Sequence, residues 1–242
     1  MNLGHSVALL LFSAHDPSIL VNMPELIHLR RLDWRIYRAG LNLARLATRH
    51  WWHPVRQLRG ELGLPVPCDP VFRDKFSPEL VLALFSPAFS MRQPDWPPQT
   101  VQSGFVFFDR DSSRTHHNTG LKAFLADGDA PLVFTLGSTA VHNPGSFYAS
   151  SLAAAQRLGR RVVLLGADPS LSSQSALALP YAPYSEIFPH AAVIVHQGGS
   201  GTTAQALLAG VPQLIVPYGW DQPDNAARVQ RLGAGLTLAR SK

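Results

Sequence analysis

The chain has 242 residues, a length that suits one large domain or two modest ones. Apolar residues make up 46% of the sequence and charged residues only 15%, a balance that is ample for a packed core and argues against an intrinsically disordered chain. The net charge of +5 is mild, and the arginines form no dense run. Nucleic acid is therefore not an expected partner.

The chain contains one cysteine, Cys68. A single cysteine excludes an intrachain disulfide framework and a thiolate metal cluster, and it fits a reducing compartment. The apolar run at 7–12 predicts a buried strand rather than a signal peptide, because no lysine or arginine precedes it. No apolar run reaches the roughly 18 residues of a membrane span. We therefore expect a cytoplasmic protein.

The first half of the chain predicts helices and short strands. Residues 25–62 place leucine and isoleucine at three- and four-residue steps, a spacing typical of helix. The many arginines of this stretch indicate a solvated helix face. With the three tryptophans of the same stretch, they leave open a surface that contacts an anionic membrane. Strands are predicted at 80–85 and 104–108.

The polar segment 116–130 is predicted to link a first domain, 1–115, to a second domain, 131–242. From residue 131 onwards, continuous apolar strands alternate with helices, which predicts an α/β domain with a parallel sheet covered on both faces. The predicted strands are 132–136, 161–165, 191–195 and 213–216, and the predicted helices are 146–158, a helix that ends at Ala209, and 222–232. Ligands of such sheets bind at the carboxyl ends of the strands.

A glycine-rich segment follows the predicted strand 191–195 and opens a helix. Its sequence, HQGGSGTT, covers residues 196–203. The glycines permit positive φ and close approach of a ligand, and the helix N-terminus offers unpaired N–H groups and a positive dipole end. Hydroxyls at Ser200 and Thr202 add donors. The segment predicts a phosphate cradle, with a simple tight turn as the alternative.

Two other strand ends carry polar groups. Gly137-Ser138-Thr139 follows the strand 132–136 and offers a hydroxyl and backbone amides. Two such strand ends facing one crevice favour a diphosphate. Asp221-Gln222 follows the strand 213–216, and a carboxylate beside an amide suits the adjacent hydroxyls of a sugar ring. The alternative for Asp221 is an N-cap of the next helix.

Other nucleotide motifs fit less well. No GxxxxGK[ST] motif is present, which excludes a P-loop. Residues 199–204 match G-x-G-x-x-A, the dinucleotide fingerprint, and Asp221 lies about 20 residues further on. However, three residues separate this motif from its strand, and it comes late in the predicted sheet. NAD(P) binding remains a weaker alternative.

A family resemblance rests on residues 181–235, whose sequence is YAPYSEIFPHAAVIVHQGGSGTTAQALLAGVPQLIVPYGWDQPDNAARVQRLGAG. This stretch resembles the donor-binding signature of the UDP-glycosyltransferases, in the bacterial and sterol-glycosyltransferase branch. VFTLGS (133–138) and PDWPPQTVQSGFVFFD (94–109) resemble further family segments. The resemblance implies a GT-B fold, in which two Rossmann-like domains face each other. It also implies an inverting transfer of a sugar from a UDP- or TDP-sugar to an acceptor hydroxyl.

The resemblance assigns roles to individual positions. The positions that match the diphosphate-binding part of the signature are Ser138, His196, Gly198, Gly199, Ser200, Gly201 and Thr202. Asp221 and Gln222 match the pair that binds the sugar hydroxyls, and Tyr181 matches a residue that stacks on the base. The carboxylate that grips the ribose in the plant branch is replaced by Ala204, which leaves UDP and TDP open. The resemblance implies no metal and no cofactor besides the nucleotide sugar.

The resemblance also implies that the chain is a fragment, with the later half of an acceptor domain and most of a donor domain, truncated at its C-terminus. The histidine that acts as general base in the family has no convincing counterpart, so the catalytic residues are unknown. The apolar first half hints at a lipophilic acceptor. We expect weak donor binding and little transfer from this chain alone. The alternative is a non-catalytic nucleotide-sugar-binding remnant or one half of a split enzyme.

Overall fold

The computed structural model describes residues 33–66, 76–107, 119–137 and 144–239, together with residues 15, 69 and 74. The chain divides into two compact units, Met1–Phe105 and Val106–Lys242. The predicted domain boundaries stay predictions, because residues 108–118 lie outside the described part. The predicted strand at 7–12 and Cys68 lie outside it as well.

The first unit contains helices followed by a pair of short strands. Its elements are α1 (Trp34–Ala47), a 3-10 helix (Arg49–Trp52), α2 (His53–Glu61), β1 (Val81–Ala83) and β2 (Thr100–Gln102). Asp33 caps α1 by accepting a hydrogen bond from the Arg35 N–H at 2.8 Å. The predicted helical stretch is therefore confirmed in its described part. None of the described helices is long and apolar enough to cross a bilayer.

The strand predicted at 104–108 is wrong for its described residues, which have no regular structure. The chain instead forms β2 a few residues earlier, where it pairs in parallel with β1 and sets Thr100 opposite Val81. The Ser103 N–H donates to the Ala83 carbonyl at 3.1 Å, and Gly104 then takes φ 88°. This positive φ turns the chain away from the strand pair before the apolar run begins.

The second unit is built around a six-stranded sheet. Its elements are α3 (Thr119–Ala126), β3 (Leu132–Thr135), α4 (Phe147–Arg157), β4 (Val162–Leu165), β5 (Ala176–Leu179), α5 (Tyr184–Ile187), β6 (Val193–His196), α6 (Ser200–Ala209), β7 (Gln213–Ile215), α7 (Gln222–Arg231) and β8 (Gly235–Thr237). The strand order is β5-β4-β3-β6-β7-β8, and every neighbouring pair is parallel. The predicted α/β class with a parallel sheet is confirmed.

Successive residues of the central strands pack into cores on opposite faces of this sheet. Val133 and Ile194 belong to a core with the helical residue Phe188. Their neighbours Phe134 and Val195 belong to the core on the other face. Burying one such side chain contributes about 1.5–3 kcal/mol. Because both faces are covered, the strands are continuous apolar runs in the sequence.

The strand order places a crevice at one point of the sheet. From β3 the chain moves outward to β4 and β5, and then returns so that β6 lies on the other side of β3. This reversal is a topological switch point, where ligands of doubly wound sheets bind. In the β3–β6 pair, Thr135 lies opposite His196. The segments that follow these two residues therefore leave the sheet side by side.

Candidate functional site

The glycine segment predicted as a phosphate cradle connects β6 to α6. Gly199 is the N-cap of α6 and makes no side-chain capping bond. Within the described part of the chain, no group accepts a hydrogen bond from the N–H groups of Ser200, Gly201 and Thr202. A helix of ten residues thus begins at the switch point with free donors and its positive dipole end. Such an end binds anions.

The buried side chain of His196 forms a hydrogen bond to this glycine segment. Its side chain is 0% exposed, its Nδ1 accepts from the Gly198 N–H at 3.0 Å, and its Nε2 lies 2.9 Å from Gln213 Oε1. An accepting Nδ1 places the ring proton on Nε2, which donates to Gln213. Burial lowers the pKa of His196 from 6.5 to about 4, although the Gln213 bond opposes the shift. The ring is therefore neutral at pH 7, and both of its nitrogens are used within the protein.

Two hydroxyl groups and Tyr184 meet at the same crevice. The Tyr184 hydroxyl lies 3.3 Å from Thr135 Oγ1 and accepts from Thr202 Oγ1 at 3.5 Å. The Tyr184 ring stacks on Phe188, with centroids 4.4 Å apart. The Thr202 hydroxyl thus points toward Tyr184, whereas the Thr202 backbone N–H stays free among the described groups.

Gln197 is a crevice residue that sequence analysis did not select. Its side chain is buried, and a Cβ added to Gly137 would overlap its amide. Its Oε1 has no hydrogen-bond partner in the part of the chain that the structure describes. The missing side chain at Gly137 therefore makes room for Gln197 across the switch point. Ser138, the predicted second diphosphate contact, lies outside the described residues.

Asp221 and Gln222 lie at the start of α7, close to the glycine segment. The Asn225 Nδ2 donates to Asp221 Oδ2 at 2.9 Å and to the Gly198 carbonyl at 2.8 Å. Gln222 Oε1 accepts from the N–H groups of Tyr218 and Gly219 at 2.8 and 3.2 Å. These two bonds fix the Gln222 side chain against the loop that precedes α7. The structure thus brings the glycine segment and Asp221 together, and Asn225 is a bridge between them that sequence analysis missed.

Tyr181 stands apart from this cluster. It follows β5, the edge strand, two strands from the crevice. Its side chain is 39% exposed, and it lies at the same carboxyl edge of the sheet as the other predicted residues. Its predicted role in stacking on a base stays a prediction.

The sequence matches known proteins over both units. Residues 173–242 match the family model described as the erythromycin biosynthesis protein CIII-like C-terminal domain. The chain is 40% identical over 192 residues to the O-mycaminosyltylonolide 6-deoxyallosyltransferase of Streptomyces fradiae, a match that covers 77% of this chain and 45% of that protein. Glycosyltransferase GtfC of Amycolatopsis orientalis is 33% identical, in a match that covers 79% of this chain and 46% of that protein. The chain spans about half the length of these relatives.

Solved structures show the same fold. The glycosyltransferase of kitacinnamycin superposes with a TM-score of 0.62 at 20% identity, over 84% of this chain and 54% of that one. The Streptomyces sp. SF2575 glycosyltransferase SsfS6, solved with thymidine diphosphate, gives a TM-score of 0.53 at 23% identity, over 76% and 45%. These structural neighbours are GT-B glycosyltransferases.

These matches confirm the resemblance found in the sequence. The family model covers the glycine segment and the start of α7, which contain most of the predicted site residues. Residues 173–242 thus match the erythromycin biosynthesis protein CIII-like C-terminal domain, and the chain is similar to part of known glycosyltransferases whose solved structural neighbours have the GT-B fold.

Proposed function

We propose that this chain carries the donor site of a glycosyltransferase that moves a sugar from a UDP- or TDP-sugar to an acceptor hydroxyl with inversion. One observation carries the proposal: a single amide, Asn225, bonds both the glycine segment at Gly198 and the carboxylate of Asp221. An anion-binding helix end and a sugar-binding acid therefore lie within the reach of one donor molecule. Two structural neighbours solved with thymidine diphosphate support TDP as a nucleotide.

The chemistry assigned to these residues is electrostatic. The free N–H groups at the start of α6 hold the diphosphate and stabilise the negative charge that develops on it as the glycosidic bond breaks. Asp221 and Gln222 hold the sugar hydroxyls and so orient the anomeric carbon for in-line attack. His196 contributes by holding Gly198 in place. We assign no general base to this chain, and we propose neither a metal nor a further cofactor.

The topology favours a nucleotide sugar over NAD(P). In dinucleotide-binding sheets the glycine fingerprint follows the first strand. Here the G-x-G-x-x-A match follows β6, the fourth strand of the sheet in chain order. A non-catalytic nucleotide-sugar-binding module would use the same residues, and it differs from the enzyme in transferring no sugar.

Thermal unfolding with added ligands tests the proposal. We expect UDP, TDP, UDP-glucose or TDP-glucose to raise the melting temperature in a concentration-dependent way, because a ligand that binds only the folded state adds about 2.7 kcal/mol at 100 times its dissociation constant. NAD⁺ should give no shift. A shift with NAD⁺ alone would overturn the proposal, and so would a cooperative melt that no nucleotide moves. Sugar transfer by the ligand-binding chain would separate an enzyme from a non-catalytic module.

We also propose a cytoplasmic location, which the single cysteine supports, and contact of the first unit with an anionic membrane surface or a lipophilic acceptor. Helix α1 has no buried residue. Leu43, Leu46 and Trp51 are 65–67% exposed, and the exposed arginines Arg49 and Arg56 lie beside them along the chain. Exposed apolar groups flanked by cations suit the headgroup region of an anionic bilayer.

Co-sedimentation with lipid vesicles tests the membrane contact. We expect the chain to bind vesicles that contain phosphatidylglycerol and to leave phosphatidylcholine vesicles unbound, since each arginine near an anionic surface contributes about 1 kcal/mol. The double substitution Arg49→Glu and Arg56→Glu should lower binding at least tenfold. The matched control is Arg157→Glu with Arg231→Glu, an equal charge change in the second unit. If the two double variants lose vesicle binding equally, the membrane-contacting surface does not lie on the first unit.

A further inference from the structure

Asn225 stands between the two halves of the proposed donor site. It lies in the first turns of α7, and its side chain is 0% exposed. The two hydrogens of its Nδ2 are both used, one on the Gly198 carbonyl at 2.8 Å and one on Asp221 Oδ2 at 2.9 Å. The Gly198 bond spans 27 positions of the sequence and joins the β6–α6 segment to α7.

The orientation of this amide is fixed by its partners. Both neighbours are acceptors, so only the NH₂ group can face them. A flipped amide would place the Asn225 Oδ1 against two acceptor oxygens, with no hydrogen to share. The Asn225 Oδ1 has no hydrogen-bond partner in the described part of the chain. A buried polar atom without a partner lowers stability. The side chain is therefore arranged to donate, and the molecule tolerates an unpaired oxygen to keep that arrangement.

The two acceptors have different tasks in the proposed function. The Gly198 carbonyl belongs to the segment that precedes the free N–H groups of α6, which face the diphosphate. Asp221 offers one carboxylate oxygen to the sugar once Asn225 holds the other. A nucleotide sugar joins its diphosphate to its sugar by one glycosidic bond, so the spacing between these two subsites decides whether both are filled at once.

We infer that Asn225 is a positioning residue, which couples sugar recognition by Asp221 to diphosphate binding at the glycine segment. The inference rests on the proposed function. Without the Asn225 amide, the Asp221 carboxylate loses its fixed rotamer and the Gly198 peptide loses its only side-chain anchor on α7 among the described contacts. We expect diphosphate binding to weaken less than binding of the nucleotide sugar, because the N–H groups of α6 do not bond Asn225, whereas the additional affinity that the sugar provides is lost.

A thermodynamic cycle tests the inference. Calorimetric titrations with TDP, TDP-glucose, UDP and UDP-glucose would compare the wild-type chain with Asn225→Ala, Asp221→Ala and the double variant. For the nucleotide that binds, we expect Asn225→Ala to lower the affinity for the nucleotide sugar about tenfold more than the affinity for the free nucleoside diphosphate. This size is typical of a lost hydrogen bond to a charged group. In the Asp221→Ala background, Asn225→Ala should change the ratio of the two dissociation constants, for the free diphosphate and for the nucleotide sugar, only little. The effects of coupled residues are not additive.

Val229→Ala is the matched control, because Val229 is buried on the same helix one turn further on and is an apolar core residue. It lowers helix stability without touching either acceptor. If Asn225→Ala, like Val229→Ala, weakens the binding of the free diphosphate and of the nucleotide sugar by the same factor, Asn225 is structural only and the inference fails. The inference also fails if the effects of Asn225→Ala and Asp221→Ala simply add in the double variant. If the wild-type chain binds none of the four ligands, the proposed function itself fails.

Discussion

Replacing Gly198 by alanine is expected to lower the affinity of the chain for its nucleotide at least tenfold and to lower the free energy of unfolding by about 2–4 kcal/mol. Gly198 has φ 90°, a conformation that costs an L-residue roughly 1–2 kcal/mol. A Cβ added there would also lie 2.8 Å from Ile215 Cγ2 and 3.1 Å from the Gln222 carbonyl oxygen. Ile215 is fully buried in β7, and the Gln222 oxygen is backbone, so neither yields easily.

The loss of affinity follows from which groups would move. Relief of the overlap must shift the glycine segment away from the start of α7, and the diphosphate and sugar subsites would separate. Titration calorimetry with the nucleotide that shifts the melting temperature would measure the affinity, and urea unfolding would measure the stability.

Gly210→Ala is the matched control for the backbone cost. Gly210 ends α6 with φ 68°, and nothing lies within 4 Å of an added Cβ. This variant should lose about 1 kcal/mol of stability and keep its affinity. If Gly198→Ala binds nucleotide as tightly as Gly210→Ala does, the glycine segment is not the diphosphate site.

The parallel sheet could be predicted because local patterns and the tertiary structure agree. The strands at 132–136 and 191–195 are continuous apolar runs, and the structure buries them between two cores as β3 and β6. The helix that follows the glycine segment ends at Gly210, where φ is positive. These signals are short in range, so the sequence displays them directly.

Elements that depend on distant partners could not be predicted in the same way. Strand β2 has the sequence TVQ, and it is a strand because β1 lies beside it. The short strand β8 is likewise defined by its pairing with β7. Asn225 in the sequence is an ordinary polar helix residue. Its importance appears only when folding brings the Gly198 carbonyl to it from 27 positions away.

His196 shows the same limit at the level of chemistry. The family resemblance predicts that it holds the diphosphate, and that contact stays a prediction. The structure shows a buried ring whose two nitrogens bond Gly198 and Gln213. The burial of the His196 ring depends on how the whole sheet packs, and a short sequence motif carries no information about that packing. The motif therefore predicts that His196 belongs to the site, whereas its neutral, buried state could only come from the fold.

The free energy of unfolding is expected to fall by about 2 kcal/mol when the pH is lowered from 7.5 to 5.0. Burial lowers the pKa of His196 to about 4 in the folded chain, against 6.5 when the residue is exposed by unfolding. Between these two values the unfolded state binds a proton that the folded state does not. The stabilisation is therefore complete above pH 6.5 and is lost as the pH falls toward 4. Urea unfolding at several pH values would measure the slope.

Protonation would also act on the glycine segment directly. A proton on Nδ1 would face the Gly198 N–H, and two donors cannot share that 3.0 Å contact. Nucleotide affinity should therefore decrease over the same pH range as stability. The variant His196→Asn removes the titrating ring and should flatten this part of the pH dependence, although its stability at pH 7.5 is lower. The control His190→Asn changes an exposed histidine and should keep the wild-type slope. An unchanged slope in His196→Asn would show that the acid sensitivity arises from other groups.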